Sequence, residues 1–124
     1  MKKLFSVLAV TTLAIGIVAG CGKEEKKDTA SQDALQKIKQ SGELVIGTEG
    51  TYPPFTYHDE SGKLTGFDVE IAEEVASRLG VKAKFMETQW DAIFAGLDSK
   101  RFDMISNQVG INEERLEKYA FSDP

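Results

Sequence analysis

The chain has 124 residues, enough for about one domain, and its 41% hydrophobic and 28% charged content is typical of a globular protein rather than a disordered or collagen-like one. The formal net charge is -5 and the body of the chain has no cluster of Lys and Arg, so nucleic acid is an unfavourable partner. Cys21 is the only cysteine, which excludes an internal disulfide.

The N-terminus has the layout of an export signal. Lys2 and Lys3 precede an apolar run over residues 4–19, shorter than the roughly 20 apolar residues that span a bilayer. The small residues before Cys21 resemble the bacterial lipoprotein box, in which the cysteine sulfur takes a diacylglycerol. We therefore expect a lipoprotein signal peptide at residues 1–20 and a fatty-acylated anchor (palmitate) at Cys21, with a free thiol as the alternative.

A polar segment separates this signal from the folded body. Residues 21–31 alternate in charge without apolar periodicity and are predicted to form a flexible tether. The body, residues 32–124, begins with a helix predicted over residues 32–40, whose Leu35 and Ile38 would face the core.

The rest of the body alternates strand and helix patterns. The chain order predicts a strand, a hairpin around a polar turn, a helix, a strand, a helix and a strand, at residues 43–48, 55–65, 67–79, 81–86, 90–97 and 103–106. The first helix of this series has an apolar residue at every fourth position, namely Phe67, Ile71, Val75 and Leu79, with Ala72 and Ala76 beside them. This order predicts an α/β domain with a mainly parallel sheet flanked by helices, whose ligands bind at the carboxyl ends of the strands.

Three loops at predicted strand ends hold residue types that suit an amino acid ligand. They are an acid, two aromatics, two amides, a glycine and an arginine: Glu49, Tyr52, Trp90, Asn107, Gln108, Gly110 and Arg115. An arginine fork pairs with a carboxylate, a carboxylate or amide oxygen accepts from an ammonium, and flat rings enclose the ligand body. Residue types alone leave plainer alternatives open. Trp90 could be core packing, Tyr52 could stiffen a turn, Arg115 could pair with neighbouring surface glutamates, and the amides could cap a helix or turn.

Several blocks of sequence, taken in order, resemble the family 3 solute-binding proteins of polar amino acid ABC importers. The blocks are GTEGTYPPF at 47–55, GFDVEIA at 66–72, WDAI at 90–93, the stretch 103–115, and YAFS at 119–122. The resemblance implies a periplasmic-binding-protein-like type II fold, of which this chain would hold the first lobe only. It also implies a monomer, anchored by lipid on the outer face of the cytoplasmic membrane, that uses no cofactor or metal and delivers an amino acid to an ABC permease.

The resemblance implies roles for individual residues. Tyr52 and Trp90 match aromatics on opposite sides of the ligand, and Arg115 matches the arginine that grips the ligand α-carboxylate. Glu49 occupies the position of an acid that contacts the amino group or a side chain.

The remaining site positions concern the identity of the ligand. Asn107 and Gln108, together with Trp90 and Asp91, are closer to cystine-binding members, so cystine leads over glutamine, histidine or arginine. Gly110 departs from the family because a hydroxyl is usual there, which leaves only its backbone N–H to contribute.

Other functions remain open at this stage. A sensor domain, a non-functional truncated product, or an enzyme of the same fold could share these blocks. An enzyme would need a positioned acid or base, and the candidates are Glu49, Asp68, Asp91 and His58. Asp68 and Asp91 look like helix-start residues and His58 like a solvated loop residue, so we expect a binding protein rather than an enzyme.

Overall fold

A computed structural model describes residues 25–124, with side chains described from residue 33. Its elements, in chain order, are α1 (Glu25–Ser41), β1 (Glu43–Thr48), β2 (Tyr57–His58), β3 (Leu64–Thr65), α2 (Phe67–Leu79), β4 (Lys82–Glu87), α3 (Trp90–Asp98), β5 (Met104–Ile105) and α4 (Glu113–Leu116). The predicted signal peptide and lipid attachment at Cys21 lie outside these residues. Within them, no helix has both the length and the apolar character needed to cross a bilayer.

The central sheet confirms the predicted α/β architecture. Over the described residues its strand order is β4-β1-β5, with β1 parallel to both neighbours. The predicted hairpin forms a separate antiparallel pair in which Tyr57 lies opposite Thr65. Because all three strands of the main sheet run in one direction, their carboxyl ends share one edge.

The core lies between the sheet and helices on both of its faces. Leu44 and Ile46 of β1 pack against Ala72 and Ala76 of α2, whose small side chains let the helix approach closely. Successive strand residues point to opposite faces, so Gly47 faces the other side.

Phe102 fills the space on that second face. It is 3% exposed, and a Cβ added at Gly47 or at Gly96 of α3 would lie 2.5 Å from its ring. The two glycines therefore make room for one aromatic ring between β1 and α3.

Two predictions about the helices were wrong in detail. Helix α1 begins at Glu25 rather than at residue 32, so most of the predicted tether is helical, and Leu35 is 38% exposed rather than inward. Helix α2 has the predicted bounds, and its most buried apolar residues are Val69 together with Ala72 and Ala76, which lie beside the predicted repeat. Of the repeat itself, Leu79 packs against the core, whereas Phe67, Ile71 and Val75 are 59%, 48% and 36% exposed.

The start of α2 is fixed against the loop that follows β1. Gly66 has a φ of 122°, and a Cβ there would collide with the Phe55 carbonyl. This close approach lets the N–H groups of Phe67 and Asp68 donate to the carbonyls of Pro54 and Phe55, at 3.1 and 2.9 Å. Backbone carbonyls thus accept from N–H groups of the first helical turn, which Gly66 has no side chain to cap.

Candidate functional site

The sheet edge at the carboxyl ends of the strands brings the predicted loops together. Glu49 follows β1, Trp90 opens α3 just beyond β4, and Asn107 lies two residues past β5. Five of the predicted residues line one cleft of about 250 Å³: Glu49, Tyr52, Trp90, Asn107 and Gln108. Arg115 lines an adjoining hollow of about 320 Å³ with Phe94 and Tyr119, and Gly110 lines neither.

Glu49 is held from two sides. Its Oε2 accepts from Asn107 Nδ2 at 2.8 Å, and its Oε1 accepts from the Trp90 N–H at 3.3 Å. Gln89, the residue before α3, makes no side-chain cap, so Glu49 supplies an acceptor at this helix start, where negative charge is favourable. The carboxylate is therefore fixed at the mouth of the cleft.

Asn107 holds Glu49 through the main chain as well. It is 4% exposed, and its Oδ1 accepts from the Glu49 N–H at 2.8 Å and from Thr48 Oγ1 at 3.2 Å. The side chain predicted to contact ligand is thus largely occupied by protein groups.

A chain of buried hydroxyls continues this network. Thr56 Oγ1 accepts from the Gly50 N–H at 3.1 Å and lies 2.7 Å from Thr48 Oγ1. Since the Thr48 hydroxyl donates to Asn107, Thr56 must donate to Thr48. Both threonines are fully buried. Sequence reasoning did not identify them; the only available signal was a hydroxyl at the end of an otherwise apolar strand.

The Tyr52 loop is a compact turn. Tyr52 and Thr56 exchange backbone hydrogen bonds of 2.6 and 2.9 Å, and the Phe55 ring lies 5.2 Å from the Tyr52 ring. Tyr52 itself remains 47% exposed. The ring is therefore accessible on a turn fixed by its own backbone.

Arg115 lies against aromatic rings. Its guanidinium carbon is 5.5 Å from the Trp90 centroid and 5.3 Å from the Phe94 centroid, within the range of a cation–π contact. Its Nη1 donates to the Gly110 carbonyl at 2.7 Å. Across residues 33–124 the ion pairs found do not include Arg115, so the surface pairing left open by the sequence does not form there.

A short helix that the sequence did not predict positions this arginine. Asn112 is the N-cap of α4, and its Oδ1 accepts from the Arg115 N–H at 2.8 Å. The Gly110 carbonyl contacts the arginine side chain, and the role of the Gly110 N–H toward a ligand stays a prediction.

Asp68 lies in the first turn of α2, as the sequence indicated, and its side chain is buried. It is 5% exposed, and its two carboxylate oxygens accept from the main-chain N–H and from Nε2 of Gln108, each at 2.6 Å. Its carbonyl accepts from Ser106 Oγ at 2.9 Å. Asp68 therefore ties α2 to the loop after β5.

His58 connects the hairpin to the site. Its Nδ1 lies 3.2 Å from the Gly50 carbonyl and its Nε2 lies 3.1 Å from Glu87 Oε1, at the end of β4. The ring is partly exposed but engaged on both nitrogens, so it braces the loop after β1 rather than standing free in solvent.

Among the side chains that the structure describes, the pKa of one carboxyl group and of one phenol group is shifted. The pKa of Asp59 is lowered because the Ser61 hydroxyl and the Lys63 and Ser61 N–H groups donate to the carboxylate in the hairpin turn. The pKa of Tyr119 is raised by loss of solvent around it and by its hydrogen bond to Asp98.

The chain is similar to proteins that bind amino acids. It is 52% identical over 125 residues to the L-cystine-binding protein TcyA of Bacillus subtilis strain 168, covering 98% of this chain and 46% of that protein. It is 32% identical over 124 residues to a cyclohexadienyl dehydratase of Pseudomonas aeruginosa, covering 100% of this chain and 44% of that protein. The chain thus spans about half the length of the curated relatives it matches.

Solved structures agree with the fold. The unliganded, open L-cystine solute receptor of Neisseria gonorrhoeae has a TM-score of 0.64 at 54% identity, covering 68% of this chain and 36% of that one. The arginine-bound domain 1 from TmArgBP has a TM-score of 0.69 at 42% identity, covering 71% and 70%. The family model for bacterial extracellular solute-binding proteins, family 3, matches residues 44–124, and the chain belongs to that family.

Proposed function

We propose that this chain binds an amino acid outside the cytoplasm, with L-cystine as the leading ligand, for delivery to an ABC importer. The observation that carries the proposal is the grouping of an acidic and a basic pole around aromatic rings at one sheet edge. Glu49 accepts from the main-chain N–H of Trp90, and the Arg115 guanidinium lies over the indole ring of the same residue. Such a pair of poles suits the ammonium and carboxylate of a zwitterion.

The choice of L-cystine rests on the relatives. TcyA and the gonococcal receptor, both more than half identical to this chain over the matched residues, are named for L-cystine. The arginine-bound domain 1 from TmArgBP is a structure of one domain with its ligand, which supports binding by a chain of this extent.

A binding function also fits the hydrogen bonds that two of the candidate acids or bases make with other protein groups. Glu49 is engaged by Asn107 and the Trp90 N–H, and Asp68 by Gln108. A group that must exchange protons with a substrate needs free access to it. The dehydratase relative is 32% identical, against 52% for TcyA, so we propose binding without turnover.

We also propose where the protein is located. We infer that the signal over residues 1–20 is removed and that Cys21 carries the lipid, which holds a monomer at the outer face of the cytoplasmic membrane next to its permease. The charge–apolar–small order of the N-terminus supports this. Cys21→Ser should move the protein from the membrane fraction to the soluble fraction; persistent membrane association would contradict the lipid anchor.

Isothermal titration calorimetry tests the ligand. The chain is titrated with L-cystine and, separately, with L-arginine, L-histidine and L-glutamine under oxidising conditions that keep cystine intact. Saturable heat with L-cystine at lower concentration than with the others is expected. Tighter binding of another amino acid would overturn the choice of cystine, and no heat with any of them would overturn amino acid binding.

A further inference from the structure

Gln108 reaches the cleft in a backbone conformation that is unusual for a residue with a side chain. Its φ is 51°, in the left-handed region that few residues other than glycine adopt. Its main-chain N–H donates to Asp68 Oδ2 at 2.6 Å. Because Asp68 is 5% exposed, this is a protected, charge-assisted hydrogen bond, the kind strong enough to hold a strained position.

The second oxygen of Asp68 determines how the Gln108 amide is turned. Asp68 Oδ1 lies 2.6 Å from the amide group of Gln108. An ionised carboxylate can only accept hydrogen bonds, so the NH₂ end of the amide must face it. The oxygen end is consequently turned away from Asp68.

That oxygen belongs to a residue that lines the cleft. Gln108 shares the cavity of about 250 Å³ with Glu49, Tyr52 and Trp90. Gln108 is an exposed residue, so its Oε1, which has no donor among the side chains described, is open to solvent and to a ligand, while its Nε2 is engaged. The contact with Asp68 uses one of the two N–H donors of the amide and leaves its carbonyl oxygen available as an acceptor.

We propose that Asp68 is a positioning residue that makes Gln108 an acceptor for an N–H group of the ligand. This inference rests on the proposed function and deepens it. Gln108 and Glu49 are then two acceptors in the cleft, while Arg115, which lines the adjoining hollow, supplies a donor beside the Trp90 ring. The ligand class that fits is an amino acid whose ammonium hydrogens meet both acceptors.

The substitution Asp68→Asn reverses the geometry with little change in size. The Asn oxygen is needed by the Gln108 N–H, so its NH₂ group faces the Gln108 amide, which must rotate and present its own NH₂ to the cleft. Affinity for L-cystine in calorimetry should fall about tenfold or more. Glu70→Gln, which removes an exposed carboxylate from the same helical turn, is the matched control and should leave affinity unchanged.

A double-mutant cycle separates positioning from general damage. Gln108→Met keeps the length of the side chain and removes the amide; it should weaken binding to a similar extent, and Asp68→Asn should then add little. Equal losses from Asp68→Asn in both backgrounds, or wild-type affinity of either folded variant, would overturn the proposal. If Asp68→Asn fails to fold by thermal melting, the affinity of Gln108→Met decides.

An NMR readout needs no ligand. The Gln108 side-chain NH₂ resonance, assigned by its loss in Gln108→Met, should show a hydrogen-bonded proton shifted downfield in the wild-type chain and lose that shift in Asp68→Asn. An unshifted wild-type resonance would overturn the positioning role. A shifted resonance in a chain that binds no amino acid would instead count against the proposed function alone.

Discussion

The guanidinium of Arg115 lies over the indole of Trp90, with its central carbon 5.5 Å from the ring centroid. One Nη group is anchored on the Gly110 carbonyl. The family resemblance implies that Arg115 binds the ligand α-carboxylate and that Trp90 lies on one side of the ligand. These two residues therefore support each other before any ligand binds. Preorganised contacts of this kind reduce the ordering that binding must impose.

Arg115→Lys should weaken amino acid binding about ten- to a hundredfold. Lysine keeps the charge but loses the planar fork and its stacking on Trp90. A hydrogen bond to a charged group contributes about 1.5–3 kcal/mol, which sets this range. Calorimetry with L-cystine measures it, and Arg101→Lys, at an exposed position before β5, is the control. Wild-type affinity of Arg115→Lys would remove the fork from the site.

Asn107→Ala should lower the free energy of unfolding by about 1–3 kcal/mol. The change leaves the buried Thr48 hydroxyl and the Glu49 N–H without an acceptor, and unpaired buried polar groups cost free energy in that range. Urea unfolding followed by circular dichroism gives the value. Gln89→Ala removes an exposed amide at the same sheet edge and should be near neutral; equal effects of both substitutions would contradict the buried network.

Gly47→Ala should destabilise the fold by about 1–3 kcal/mol because its Cβ would lie 2.5 Å from the Phe102 ring. Phe102→Leu makes space at that point. The double variant should therefore be more stable than the sum of the two single changes predicts. Strict additivity in urea unfolding would show that Phe102 does not occupy the space beside Gly47.

Asp59 should make the hairpin sensitive to acid. Its pKa is lower in the folded chain, chiefly because the Ser61 hydroxyl donates to the carboxylate. A carboxyl of this kind stabilises the fold above its unfolded pKa, and the contribution is lost as pH falls through the lower folded pKa. Asp59→Ala should thus be most destabilising near neutral pH, with the difference from wild type shrinking in acid. Glu60→Ala is the neighbouring control, and a difference that grows in acid would contradict the assignment.

The sequence was sufficient for the order of the elements from β1 to β5 and for the loops that meet at the site, but not for α4. Strand and helix periods are local, and parallel strands bring their ends together, so Glu49, Trp90 and Asn107 could be placed at one edge in advance. Which face of α2 is buried could not be predicted, because apolar residues occur on two faces. The face of α2 that packs against the sheet is the one with Ala72 and Ala76, because their small side chains allow close packing.

The supporting contacts could not be read from the sequence at all. Asp68 and Gln108 are 40 positions apart, and Thr48 and Asn107 are 59 apart. Their pairing depends on the completed sheet rather than on any local pattern. The start of α1 was also missed. Its first residues are charged and show no apolar periodicity, yet the helix begins at Glu25.

Trp90 is the only tryptophan of the chain, so its fluorescence reports on the cleft directly. The measurement that tests the central claim is a titration of the chain with L-cystine in which the Trp90 indole is excited selectively and its fluorescence emission is recorded. The account predicts a saturable change in emission, shifted to higher ligand concentration by Arg115→Lys and unaffected by Arg101→Lys. An emission that stays constant while calorimetry records binding would place the ligand elsewhere and contradict the assignment of this cleft.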